Sequence, residues 1–293
     1  MNRILCSSPY IPWQWIAAHC LEPYVVWPSG GCAHKCVAHV EGLCAYARAW
    51  ISEALTGADA AGIVLAITCD QMRRAFEVLC EHARVPCFLF NIPATWQTVQ
   101  ARRLYRDELC RLGRFLEGLG GRVASTEDLV EQMLKNEDGI TADHSLKQSG
   151  KIPLALAGPH GMSGDSVWLD MIAQRSAGIV LDCSLPSNPI FDRRAMMQDP
   201  FSELANACFD NIQDVFQRPN SGFYKKLGRA LQRSDIKGLI VRRYLWCDLW
   251  HAEIYRLKQW SPVPVLDLEI SNSPQDEKHR LVTRIQSFME MVQ

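Results

Sequence analysis

Apolar residues along this chain come in short, nearly unbroken runs, each ending in a turn and followed by a segment with helical spacing. "GIVLAI" (62–67) gives way to "TCDQMRR" (68–74), a helical stretch follows, and "VPCFLF" (85–90) opens the next run. The same order returns as "GLIVRRYLWCD" (238–248), a helical stretch and "VPVLDL" (263–268). From Cys69 to Pro86 is 17 positions, and from Cys247 to Pro264 is also 17. Continuous apolar runs suit strands covered by helices on both faces. The order strand, Cys-Asp, helix, Val-Pro, strand is that of a right-handed βαβ unit in a parallel sheet.

Other segments obey the same pattern. "PYVVWP" (23–28) reads as a first strand, and "IPLALAG" (152–158), a helix over 165–176 and "GIVLDCS" (178–184) form a further βαβ unit. Long helices are predicted over 97–119 and 125–136, and a terminal helix over 277–292. The polar stretch "KNEDGITADHSLKQSGK" (135–151) reads as a helix end and linker. The expected fold class is therefore α/β. It has two doubly wound domains, each a small parallel sheet flanked by helices: 1–145, carrying Cys44 and Cys69, and 146–293, carrying Cys247.

Composition narrows the chemistry. The chain has 293 residues, 48% of them apolar and 22% charged, which is enough to bury a core and excludes a disordered chain. A net charge of −1 without blocks of like sign argues against a nucleic-acid partner. The opening "MNRILCSSPYIPWQW" has too short an apolar run for a signal peptide, and no window is apolar for 18 residues. The expected setting is cytoplasmic, with no membrane partner.

Twelve cysteines change the picture. In a reducing compartment they are buried, reactive or metal-bound thiols rather than disulfides. Cys80, Cys87, Cys110 and Cys208 fall in apolar or helical patterns and are expected to be small buried hydrophobes. Cys69 and Cys247 end strands, where open parallel sheets bind ligands and where a following helix favours a thiolate. Asp70 and Asp248 are expected to cap those helices. The plain structural alternative, a small residue followed by a cap, explains one such pair more easily than two at matching spacing.

The familiar thiol chemistries do not fit. There is no CxxC pair for thioredoxin-like exchange or a zinc ribbon. Cys32, Cys36 and Cys44 are spaced C-x3-C-x7-C, which matches no defined metal motif. "GPHGMSGD" (158–165) has the glycines of a phosphate-cradling turn but lacks the P-loop lysine, and a tight βα turn explains it almost as well. G-x-S-x-G is absent, and no carboxylate pair marks glycosidase machinery. What remains is a set of thiolates, spread over two domains, meeting on one iron–sulfur cluster in the cleft between them.

The chain resembles the D-component family of 2-hydroxyacyl-CoA dehydratases, which includes benzoyl-CoA reductase subunits and double-cubane cluster proteins. The resemblance runs through "SPYIPWQWIAAHCLEPYVVWP" (8–28), "CAYARAW" (44–50), "TCDQMRR" (68–74), "WCDLWHAEIYRLK" (246–258) and "TRIQSFMEM" (283–291), in that order. It implies that Cys44, Cys69 and Cys247 bind one [4Fe–4S] cluster, leaving one iron without a thiolate for low-potential, single-electron chemistry on a CoA thioester. It further implies an ATP-dependent iron–sulfur activator protein and a homodimer, or a heterodimer with a sister subunit. The alternatives are an electron-relay or scaffold subunit without a substrate site, and a double-cubane reductase of small molecules. Gln14 stands where family members often carry an acid. "SPQDEKHRL" (273–281) replaces the Gly-Gln expected before the terminal Thr-Arg, and Cys183 follows Asp182 at a strand end.

Overall fold

The computed structural model describes residues 2–30, 34–38, 40–57, 59–135, 148–232, 235–271 and 274–293. Strand β1 (Arg3–Cys6), helix α1 (Trp13–Ala18) and strand β2 (Glu22–Val25) come first, then helices α2 (Lys35–Ala38) and α3 (Ala45–Thr56). Strand β3 (Ala60–Ile67), helix α4 (Asp70–His82) and strand β4 (Cys87–Asn91) follow, then helices α5 (Val99–Gly118) and α6 (Thr126–Leu134). Strand β5 (Ile152–Ala157), helix α7 (Ser166–Ala173) and strand β6 (Ala177–Asp182) lead to helices α8 (Arg193–Gln198), α9 (Pro200–Asp210) and α10 (Ser221–Leu231). Strand β7 (Gly238–Tyr244), helix α11 (Asp248–Trp260), strand β8 (Val265–Ile270) and helix α12 (Pro274–Val292) complete the order.

Among the described residues the strands form two four-stranded sheets, β2-β1-β3-β4 and β6-β5-β7-β8, and every pairing is parallel. The two orders are the same, so the repeat seen in the sequence is a repeat of topology. The third strand in each sheet order has a buried apolar run. Val64, Leu65 and Ala66 of β3 and Leu239, Ile240 and Val241 of β7 are fully buried. The strand expected first in the sequence is β2. It is preceded by β1, whose four residues are too few to show a period.

The helices bury one stripe each. Helix α4 buries Met72, Ala75 and Leu79, three and four residues apart, and α5 buries Tyr105, Leu109, Leu112 and Leu116 in the same way. Capping sets where they begin. The Thr98 hydroxyl accepts the Ala101 amide at 3.1 Å, and Ser125 and Asp128 exchange hydrogen bonds in a capping box before α6. Cys208 is buried and Cys87 half-buried, but Cys80 and Cys110, expected inside, are exposed. Each follows a fully buried leucine, Leu79 or Leu109, and one helical step of about 100° turns its side chain off the core face.

Contacts divide the chain into two compact units, and these do not follow a single cut at residue 145. One holds Met1–Val26, Trp50–Asp143 and Pro186–Asn220; the other holds Trp27–Ala49, His144–Leu185 and Ser221–Gln293. Pro186–Asn220 joins the first unit because α9 packs on α5 and α6. Phe209 meets Tyr105 with ring centroids 5.0 Å apart, and Phe201 meets Trp15 at 4.9 Å. Trp27–Ala49 joins the second unit through contacts such as the Tyr46 ring stacked on Tyr244 at 5.7 Å. Cys44 therefore shares a unit with Cys247, not with Cys69. In that unit Gly238 lets α12 approach β7, since a Cβ there would meet the Phe288 ring at 2.5 Å.

Candidate cysteine site

Both sheets change winding direction between their second and third listed strands, between β1 and β3 in one and β5 and β7 in the other. Such switch points open a crevice at the carboxyl ends of the strands. Cys69 follows β3, and Cys247 follows β7. Each is the N-cap of the next helix, and Asp70 and Asp248 occupy the first helical positions rather than the caps. The chain leaves the extended conformation at the cysteine itself (φ −164° and ψ 171° at Cys69), so each aspartate acts on the helix dipole from within the first turn.

In the first unit Cys69 is half-buried, and burial pushes its thiol pKa up. The backbone amides of Met72 and Gln71 and the Thr68 hydroxyl work against that rise, whereas the Asp214 carboxylate adds to it. Asp214 is held by the Tyr10 hydroxyl, which donates to its Oδ2 at 3.1 Å. Neither Tyr10 nor Asp214 stands out in the sequence; no local spacing links them to the cysteine.

In the second unit Cys44 is buried at the start of α3, and its Sγ accepts the Ala47 amide at 3.4 Å. Tyr244 lies against both cysteine segments. Its ring stacks on Tyr46, two residues after Cys44, and its carbonyl accepts the Cys247 amide at 3.0 Å. The turn between Tyr244 and Cys247 holds Trp246 at φ +69°, with 58% of the residue exposed. A bulky residue in the left-handed region costs about 1–2 kcal/mol, and little packing offsets it here. Trp246→Gly is expected to raise stability by about 1 kcal/mol in a urea titration. A loss of more than that amount would show that the indole packs in a way its exposure denies.

The glycine-rich turn after β5 is not an empty anion cradle. The Met162 amide already donates to Asp165 Oδ2 at 3.1 Å. The fully buried Arg242 guanidinium binds Asp165 at 2.9 Å and the His160 carbonyl at 3.1 Å, and also bonds the Pro159 carbonyl and the Tyr244 hydroxyl. Gly158 has φ +146°, and a Cβ there would collide with the Arg242 carbonyl. The loop is thus pinned to β7 by its own carboxylate and a neighbouring cation.

Burial, followed by the Arg242 charge, lowers the His160 pKa to about 3. The native imidazole stays neutral where an unfolded one, with a pKa near 6.5, takes up a proton. The stability this contributes is complete above about pH 6.5 and falls as pH drops toward 3. Stability should decline in that window by up to ~1.4 kcal/mol per pH unit for this one group. His160→Asn should flatten the slope, and an unchanged slope in urea titrations from pH 7 to 4 would exclude His160 as its source.

The family model for 2-hydroxyglutaryl-CoA dehydratase, D-component, matches residues 31–151 and 141–292. The chain belongs to this family. A comparison with curated proteins finds no match. Membership makes the chain a component of a dehydratase enzyme system that works with partner components. Among the described residues no helix is long and apolar enough to cross a membrane.

The family resemblance implies an iron–sulfur cluster, and the donor chemistry in this D-component chain suits one. Cys44, Cys69 and Cys247 are all thiols, and the Ala47 amide N–H faces the sulfur of Cys44. Such donors stabilise thiolate and metal-bound sulfur alike. Among the described residues no three His, Cys, Asp or Glu side chains are grouped as a metal site. The segments that carry Cys44 and Cys247 meet at one residue, Tyr244, while Cys69 belongs to the other unit. Cys183 is buried after β6, its amide bound to the Leu156 carbonyl at 2.8 Å. Cys36 is half-buried with its sulfur 2.8 Å from His34 Nδ1, and Cys32 lies outside the described residues. Gln14, at the position that is often acidic in the family, is buried in α1.

Proposed function

We propose that this chain is the iron–sulfur subunit of an enzyme of the 2-hydroxyacyl-CoA dehydratase or benzoyl-CoA reductase type, with Cys44, Cys69 and Cys247 as the ligands of one [4Fe–4S] cluster. The observation that carries the reading is the placement of Cys69 and Cys247 as equivalent N-caps after the switch strands of two sheets with the same order. Fold economy alone gives no reason for the same thiol at both. When bound, the cluster supplies low-potential electrons one at a time and an open Lewis-acidic iron.

The chain's own residues do the rest. The helix starts at Cys69 and Cys247 favour anionic sulfur, and the amide of Ala47 does so at Cys44. Asp214, held by Tyr10, is a carboxylate that acts on Cys69. A sister subunit and an ATP-dependent activator that delivers the electron complete the system. The test is anaerobic purification with iron and acid-labile sulfide analysis. About four irons per chain and a brown, oxygen-sensitive protein are expected; a colourless protein without labile sulfide sinks the reading.

A second reading, an electron-relay subunit that binds no acyl-CoA, draws on the buried amide Gln14 in place of an acid. Titration with CoA thioesters while the cluster's spin signal is followed separates the two. A perturbed signal supports the enzyme, and an unmoved one with every thioester supports the relay.

A further inference from the structure

The buried pair Asp165–Arg242 pins the glycine-rich turn to β7, and it also reaches Tyr244, a residue shared by two of the cysteine segments. Arg242 and Asp165 are both fully buried, and the desolvation of two charges commonly cancels or exceeds their attraction. The pair is also built with unusual care. Asp165 accepts from the Trp168 indole at 2.8 Å and from the Met162 amide at 3.1 Å, while Arg242 reaches two loop carbonyls. Its remaining contact is functional in placement. Arg242 donates to the Tyr244 hydroxyl, which in turn donates to the His160 carbonyl at 2.8 Å. The ring of Tyr244 stacks on Tyr46, two residues after Cys44, and the same residue's carbonyl fixes the amide of Cys247.

We propose that Asp165, Arg242 and Tyr244 form a positioning relay that sets the electrostatic environment of the iron held by Cys44 and Cys247, an inference that rests on the cluster reading above. The guanidinium is the relay's cation, and its net effect at the sulfur is set by how fully Asp165 cancels it. The Tyr244 hydroxyl carries that field toward Cys44 while the aromatic stack with Tyr46 keeps the two cysteine segments together. Partners beyond the ligands tune metal sites in this way.

The sign follows from charge alone. A cluster gains one negative charge on reduction. Asp165→Asn removes the carboxylate paired with the Arg242 cation, which favours the reduced state, so the midpoint potential should rise. Asp267→Asn is the control. It removes the same charge from the partner of Arg243, at 2.8 Å, and consecutive residues of β7 point to opposite faces of the sheet. A merely structural role predicts similar effects from both variants; the relay predicts a clear rise only for Asp165→Asn.

The measurement is a redox titration of the anaerobically prepared, cluster-loaded full chain, followed by electron spin resonance. A rise in Asp165→Asn beyond that of Asp267→Asn supports the relay, and equal midpoints overturn it. If Asp165→Asn does not fold, Tyr244→Phe decides, because it keeps the ring and the stack. Full iron with an altered spin signal supports the relay, and a signal identical to wild type overturns it. Wild-type protein without iron sinks the cluster reading and this inference together, whereas loaded wild type with unshifted variants sinks this inference alone.

Discussion

Cys247→Ser is expected to leave the fold intact and strip the protein of its iron, from about four atoms per chain to fewer than one. The two halves of this expectation pull apart two explanations of the same residue. Cys247 is the N-cap of α11, and serine is among the better N-capping residues. If the thiol were there only to start a helix, serine would hold the helix as well or better, by up to ~1 kcal/mol, and nothing else would change. If the thiol is a ligand, a hydroxyl in its place is a poor donor to iron, and colour, iron and sulfide disappear together. Cys69→Ser should behave in the same way, since it is the matching N-cap of α4. Cys80→Ser and Cys110→Ser, on exposed helix faces, should change neither reading. Iron assay beside a thermal melt on the same preparation checks all four. A Cys247→Ser protein that keeps its iron removes the cysteine from the proposed ligand set.

Asp165→Ala is expected to lower stability by about 3–5 kcal/mol, the usual consequence of stranding a buried charge. Arg242 is fully buried, and Asp165 is the only carboxylate within ion-pair distance of it among the described residues. The loss also orphans the Trp168 indole N–H and the Met162 amide. The double change Asp165→Leu with Arg242→Met should recover part of the loss, because it removes the stranded charge and its desolvation cost but leaves the Trp168 and Met162 donors unpaired. Urea titrations of wild type, single and double variants measure this directly. A single variant within 1 kcal/mol of wild type would mean that water reaches the guanidinium, and the relay argued above would lose its low-dielectric setting.

Local pattern alone places both Cys69 and Cys247 at strand ends. Apolar runs, a turn and a helical stripe recur at matching spacing because strand and helix periods are properties of the backbone, and each run states its own burial. The parallel sheets, the βαβ units and the position of Cys69 and Cys247 at helix starts were therefore legible. The caps lie one residue earlier than the pattern places them, at Cys69 rather than Asp70 and at Cys247 rather than Asp248, since sequence bounds a helix only to within a residue or two. The exposed Cys80 and Cys110 show the same limit, as one helical step separates the core face from solvent.

What the sequence by itself determined is the repeated α/β grammar, the family motifs and the short set of thiols worth testing. Only the tertiary structure decided which unit Cys44 joins, that Asp214 acts on Cys69, and that of the adjacent pair Arg242 and Arg243 the first is sealed against Asp165 beside Tyr244. In the sequence "VRRY" two arginines are alike. Their difference arises when β7 is placed between two other strands, so that alternate side chains face different layers of the protein. A hydrophobic period is written residue by residue, but the partner of a buried charge is fixed by where a distant loop comes to rest.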